Sequence, residues 1–233
     1  MKKISKYIFS LLLLISYSTY AQDTTNIKVQ DSIKKFEINS VSIFYDLSNL
    51  AMRFYDPEIN SFAVSADLKF NQRFFFSFET GIQNYDIEKT YYNYQLDGWY
   101  SKIGIGQEII KTPDSDTSSS VYMSLRLCYG QANQDVSDIK YVNSYWGETT
   151  EDIGKESLNK FWLEFGGGIK AELLRNLYVG WAFYLRISFK KINNESLQPK
   201  VYPGFGKGYN NLNAAFHYYV SYNLNFKRKR VYP

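Results

Sequence analysis

Residues 177–189 keep a two-residue period from end to end. Leu177, Val179, Trp181, Phe183, Leu185, Ile187 and Phe189 fall on one side, and Tyr178, Gly180, Ala182, Tyr184, Arg186 and Ser188 on the other. Side chains alternate across a strand, so the pattern defines a two-faced β-strand. At roughly 3.3 Å per residue the stretch runs about 40 Å, longer than a usual soluble strand and enough to cross a bilayer at a tilt. Any fold the chain adopts must therefore place a long, continuous apolar sheet face.

The alternation recurs along the chain. It is clean at 61–70 (Phe62, Val64, Ala66, Leu68 and Phe70 on the apolar side), resumes at 74–83, 120–130, 160–172 and 215–226, holds at 98–110 with Ser101 and Gln107 as exceptions on the apolar face, and is rougher at 36–47. Eight strands are predicted. The connections after the first, third, fifth and seventh are long, those after the second and sixth are three or four residues, and the fourth, at 111–119, is intermediate. The long ones include a tyrosine-rich segment at 84–97, an acidic and aromatic segment at 131–159, and a segment at 190–212 with Pro199 and Pro203.

The first residues read as a secretory leader: Lys2, Lys3 and Lys6 before an apolar run at 7–15 and a Thr19-Tyr20-Ala21 cleavage site. The expected organisation is a signal peptide at 1–21, a periplasmic lead-in at 22–35, a barrel at 36–226 and a basic tail at 227–233. No run in the chain approaches eighteen apolar residues, which excludes helical membrane spans. An aromatic content of 18% suits strands. Without the leader, acids and bases nearly balance, so nucleic acid is not implied. A single cysteine, Cys128, excludes an internal disulfide, and a single histidine, His217, argues against zinc. No cofactor or metal is expected.

Alternation alone leaves open which face points inward. Three features favour an all-β, eight-stranded antiparallel up-and-down transmembrane β-barrel. Short and long connections alternate, as periplasmic turns and outer loops do. Small and charged residues share the less apolar face, which suits the crowded interior of an eight-stranded barrel. Aromatic residues gather near strand ends, at Tyr45, Phe70, Phe74, Trp99, Tyr129, Phe161, Phe189 and Phe226, where interfacial girdles lie. The interior would then hold Asp67, Glu79, Glu108, Glu164 and Glu172 with Lys69, Lys102, Arg126, Lys170 and Arg186. Buried charge is costly unless paired, so an ionic filling rather than a water-filled pore is expected.

On this pattern and a leader ending in Ala21-Gln22, the chain resembles the small eight-stranded outer-membrane β-barrel proteins of bacteria, in the form common in Bacteroidetes. The resemblance covers about residues 36–226. Such barrels finish on an aromatic strand, which Tyr218, Val220, Tyr222, Leu224 and Phe226 match, although residues 227–233 follow here. Outer-membrane location and a structural, adhesion or partner-binding role are what it implies. The partners would be outer-membrane lipids and an envelope protein or extracellular ligand at the loops. Two other readings stand beside it: a barrel enzyme acting on lipids or peptides, and a soluble periplasmic barrel carrying an apolar ligand.

Few residues suggest chemistry. His217, on the inward face of the last strand, is read as an interior hydrogen-bonding residue, since no nucleophile motif accompanies it. Cys128 reads as a packed thiol. Asp135, Asp138, Glu148, Glu151, Asp152 and Glu156 match no calcium-loop spacing, and Gly166-Gly167-Gly168 lies within a strand and opens no helix. The most suggestive group is the loop aromatics Tyr91, Tyr92, Tyr94, Tyr141, Tyr145 and Trp146, joined by Tyr202 and Tyr209. They are expected to form either an exposed binding surface or a cap packed on itself.

Overall fold

The computed structural model describes residues 38–70, 73–111, 119–143, 147–189 and 198–226, all within one compact unit. The expected leader, lead-in and tail lie outside the described residues. Eight strands close a barrel: β1 (Ile38–Asp46), β2 (Ile59–Phe70), β3 (Phe74–Lys89), β4 (Tyr92–Lys111), β5 (Ser119–Ser137), β8 (Gly154–Leu174), β9 (Leu177–Ser188) and β12 (Leu212–Asn225). Each pairs antiparallel with its neighbours in the chain's order, and β1 closes on β12. Two small hairpins, β6 (Ile139–Asn143) with β7 (Gly147–Glu151) and β10 (Val201–Tyr202) with β11 (Gly206–Lys207), stand outside the ring. A helix, α1 (Ser48–Tyr55), the one helix among the described residues, follows β1.

The opening alternation resolves as outward apolar and inward polar. Phe62, Phe76, Phe78, Ile103, Ile105, Leu125, Leu127, Phe165, Trp181, Phe183, Phe216 and Tyr222 are all exposed on the outer surface. They form a belt around the barrel, while Lys102, Arg126, Glu164 and Arg186 are buried inside. The soluble-carrier reading required the opposite orientation. With the apolar side chains outside and ion pairs in the lumen, no apolar ligand chamber exists among the described residues.

Two expected loops are strands. The tyrosine-rich segment at 84–97 is the continuation of β3 and β4, joined by a turn at Thr90 and Tyr91. The segment at 131–159 consists of the end of β5, the β6–β7 hairpin and the start of β8. The pattern is still alternating there, but its phase inverts. Past Ile82, Trp99, Tyr129 and Phe161 the outward residues become Asp86, Glu88, Gln95, Asn133 and Lys155, whereas Tyr85, Ile87, Leu96, Ala132, Val136 and Leu158 are buried on the inner side. A one-residue change of phase moves the apolar set to the other face of a sheet. The four strands β3, β4, β5 and β8 thus rise beyond the belt as a wall with a wet outer and an apolar inner surface. The short turn at 175–176 puts Asn176 at φ 68°, a conformation asparagine tolerates, and Glu172 accepts its backbone N–H at 2.9 Å.

Candidate functional site: a filled lumen and its cap

Strand register places the lumen charges side by side. Arg126, Glu164 and Arg186 are successive cross-strand neighbours on β5, β8 and β9, and Glu79 lies opposite Lys102 across β3 and β4. Glu164, 0% exposed, forms ion pairs with Lys102 Nζ at 3.1 Å, Arg186 Nε at 2.9 Å and Arg126, and accepts a hydrogen bond from the Trp162 indole N–H at 3.1 Å. Glu79 binds Lys102 and Arg126, each at 2.9 Å. The Arg126 guanidinium also lies over the Tyr184 ring, 3.8 Å from its centroid. Toward the other end of the lumen Glu108 holds Lys170 at 3.1 Å, with Lys69.

Glu79, Glu108, Glu164, Lys102 and Arg126 each meet opposite charge more than once, Lys170 adds the Tyr178 ring to its carboxylate partner, and Arg186 pairs with Glu164 and His217, which is the compensation low-dielectric surroundings require. Asp67 stands apart. Among the described residues it has no cationic partner within ion-pair distance, and it faces a cavity of about 60 Å³ together with Ser77, Ser124 and Arg126. Glu172, near the end of β8 opposite Tyr178, accepts the Asn176 backbone N–H of the following turn.

His217 extends the network to the barrel's seam. Its Nε2 lies 2.9 Å from Arg186 Nη2, and its Nδ1 contacts Asp46. A guanidinium can only donate, so Nε2 accepts and Nδ1 carries the proton toward Asp46. Both ring nitrogens are occupied, and the lone pair a general base would use is already bound. A chain of polar contacts therefore runs from Asp46 on β1 through His217, Arg186 and Glu164, and from there by Arg126 and Lys102 in parallel to Glu79 on β3. Asp46, at the end of β1, meets a neighbour 171 residues away in the chain. Cys128 is buried, with Sγ 3.8 Å from the Arg126 carbonyl. Gly166 and Gly168 open space on the inner face: a Cβ at Gly166 would meet the Tyr184 ring and the Phe183 carbonyl.

Above the belt, residues 198–211 fold over the mouth and onto the inner surface of the wall. Pro199, Tyr202, Pro203 and Phe205 are fully buried there among Tyr85, Leu96, Leu158 and Trp162. The Tyr202 hydroxyl donates to the Gly130 carbonyl at 2.7 Å, and Lys200 Nζ donates to the Tyr85 hydroxyl at 2.7 Å. Gly204, at φ +68°, lies against Tyr100, where a Cβ would fall 2.5 Å from the ring; that backbone shape and that closeness both require glycine. Lys160 is buried under the segment, donating to the carbonyls of Gly208 at 2.8 Å and Asn210 at 3.3 Å over the Phe205 ring. Lys160→Met should leave both carbonyls without their donor and loosen the segment by about 1–3 kcal/mol. Faster amide exchange at 206–211, with the belt strands unchanged, is the expected readout.

The aromatic group divides between the two expectations. Tyr94 is corrected: it lies on the inner face of β4, is buried, and donates to Gln134 Oε1 at 3.3 Å, because the inverted phase turns it inward. Burial also pushes its hydroxyl above the ordinary phenol range. Tyr202 is likewise buried, at 0% exposure, as the centre of the cap. Tyr91, Tyr92, Tyr141 and Tyr209 are exposed; Tyr145 and Trp146 lie outside the described residues. Acidic side chains of the wall bond locally: Asp138 Oδ2 accepts from Asn93 at 2.7 Å, and Asp152 Oδ1 from the Asp138 backbone at 2.9 Å.

These features define a closed, eight-stranded antiparallel β-barrel with an apolar outer belt, a charged lumen and a capped mouth. The chain belongs to the family described as "Domain of unknown function (DUF6048)", whose model matches residues 4–229. No curated protein matches the chain. Among solved structures, it is similar to Ail, the attachment invasion locus protein of Yersinia pestis, with TM-score 0.42 and 11% identity over 81% of this chain and 100% of Ail. Ail in complex with the heparin analogue sucrose octasulfate gives TM-score 0.39 and 12% identity, covering 80% and 97%. The N-terminal β-barrel domain of Pseudomonas aeruginosa OprF gives 0.34 and 12%, covering 80% and 98%.

Proposed function

We propose that the protein is a non-enzymatic outer-membrane β-barrel whose interior is closed by charge. Its wall and exposed loop aromatics would serve a structural, adhesion or partner-binding role. The observation that carries this reading is the inversion of the apolar phase at one level of the barrel. Below Ile82, Trp99, Tyr129 and Phe161 the outer surface is predominantly apolar, with Gln107 an exposed exception on β4; above them, β3, β4, β5 and β8 turn polar side chains outward. A lipid leaflet ending at that level accounts for both halves. Bilayer lipid is thus the first partner, and the exposed Tyr91, Tyr92 and Tyr141 beyond it offer contact area to an extracellular ligand or envelope protein.

The lumen network and the cap support a barrel that does not conduct, and the occupied His217 gives no support to base catalysis. The protein is expected in the outer-membrane fraction, extracted by detergent, with a gel mobility that shifts on boiling. In planar bilayers it should show no stable channel, and Arg126→Ala should lower thermal stability without adding one. A stable open conductance from the unaltered protein would rule out the closed interior, and release into the soluble fraction would rule out the membrane reading.

A further inference from the structure

β1 is the shortest strand of the ring, and it stops while its neighbours continue. β12 pairs with it only from Tyr219 to Asn225, and β2 only from Val64 to Phe70. Residues 212–217 of β12 and 59–63 of β2 therefore face a gap in the wall, with no strand between them among the described residues. This gap lies within the apolar belt, since Phe62, Leu212, Phe216 and Tyr218 are exposed beside it. α1 is the element that crosses there, in contact with both β2 and β12.

Its start is fixed to the seam. The Leu47 N–H donates to the Tyr218 carbonyl at 2.8 Å, the Tyr218 N–H to Ser48 Oγ at 2.6 Å, and the Ser48 N–H to Asp46 Oδ1 at 2.8 Å. Beyond that point α1 buries none of its residues against its own barrel. Leu50 and Met52 are exposed, and Phe54 and Tyr55 are 92% and 88% exposed. An eight-residue helix is too short to persist in water on its internal hydrogen bonds. In lipid the balance differs: a helix satisfies its own backbone, while an extended segment closing the gap from outside would add unpaired groups.

We propose that α1 is a lipid-embedded helix. It covers the seam between β2 and β12 with Leu50, Met52, Phe54 and Tyr55 among the acyl chains of the outer leaflet. The assignment rests on the membrane reading above and is continuous with the belt that defines it. Arg53, the only charged residue of α1, has a stem long enough to lift its guanidinium to anionic headgroups. The helix thus supplies the lipid-facing surface that β1 leaves out.

Site-directed spin labelling of the full chain, reconstituted in vesicles of phosphatidylcholine and lipopolysaccharide, tests this. In a Cys128→Ser background, labels are attached at Phe54→Cys and Tyr55→Cys, with Phe183→Cys on the belt and Glu88→Cys on the outer wall as references. Heat-dependent gel mobility checks that each labelled protein has folded. The expected result is that the Phe54 and Tyr55 labels match Phe183, accessible to oxygen and lost to a water-soluble nickel chelate. Nickel accessibility equal to that at Glu88, with Phe183 still in lipid, would overturn the helix assignment alone. Shielding from both reagents would also overturn it, pointing to a protein contact such as a second copy. Nickel access at Phe183 as well would show instead that the membrane reading fails.

Discussion

Replacing Glu164 by alanine is expected to destabilise the barrel by about 3–5 kcal/mol, the usual cost of stranding a buried partner of a charge cluster. This carboxylate is the one group that Lys102, Arg126 and Arg186 share, and nothing else in the lumen can compensate all three: Glu79 reaches only Lys102 and Arg126, and Arg186 would keep only His217. Trp162, whose indole N–H donates to Glu164, is a local reporter. The urea midpoint followed by its fluorescence, in detergent, should fall steeply in Glu164→Ala. Glu172→Ala, outside that cluster, should cost less, about 1–3 kcal/mol for the loss of the acceptor of the Asn176 N–H. Exchanging Glu164 and Arg126 together for methionine should recover part of the loss, since fewer unpaired charges remain buried. An unchanged midpoint in Glu164→Ala would mean that water, and not the carboxylate, screens the three cations.

How far these features could be read from the sequence depended on whether one phase of alternation held throughout a strand. At 177–189 it did, and face, length and orientation followed. In β3 and β4 the same period continued, but its apolar side changed between Ile82 and Tyr85 and between Leu96 and Trp99, so a single rule ended the strands there and assigned loops. The change in environment outside the barrel was the missing information; tyrosines that look loop-like beside Asp86 and Asn93 are inner-wall residues. The lumen charges were legible as inward positions, because Glu79, Lys102, Arg126, Glu164 and Arg186 each sit opposite outward apolar groups. Which of them meet was not, because register around the ring decides that Glu164 lies between Arg126 and Arg186. The pairing of His217 with Asp46 depends on barrel closure itself, which joins the two ends of the chain. Likewise α1 carried no periodic run long enough to announce a helix.

The cap provides the second large effect, and one that separates the closure of the mouth from the stability of the belt. Phe205 is fully buried, 5.5 Å from the Trp162 ring and directly beneath Lys160. Phe205→Ala should cost about 3–5 kcal/mol, as large-to-small changes in packed interiors do. The loss falls on residues 198–211, which touch the wall mainly through Pro199, Tyr202, Pro203 and Phe205, and not on the ring of hydrogen-bonded strands below. Such segments open locally, at a free energy below that of global unfolding. Limited proteolysis of the variant should therefore cut within 198–211 while the boiled and unboiled forms still migrate apart on a gel. Its lumen should stay non-conducting, because the ion pairs of Glu164 and Glu79 are made by side chains of the barrel strands and include none from 198–211. Conductance appearing with cleavage would assign the seal to Phe205 and its neighbours. Loss of the gel shift together with cleavage would make cap and barrel a single cooperative unit, held together by the inner face of the wall.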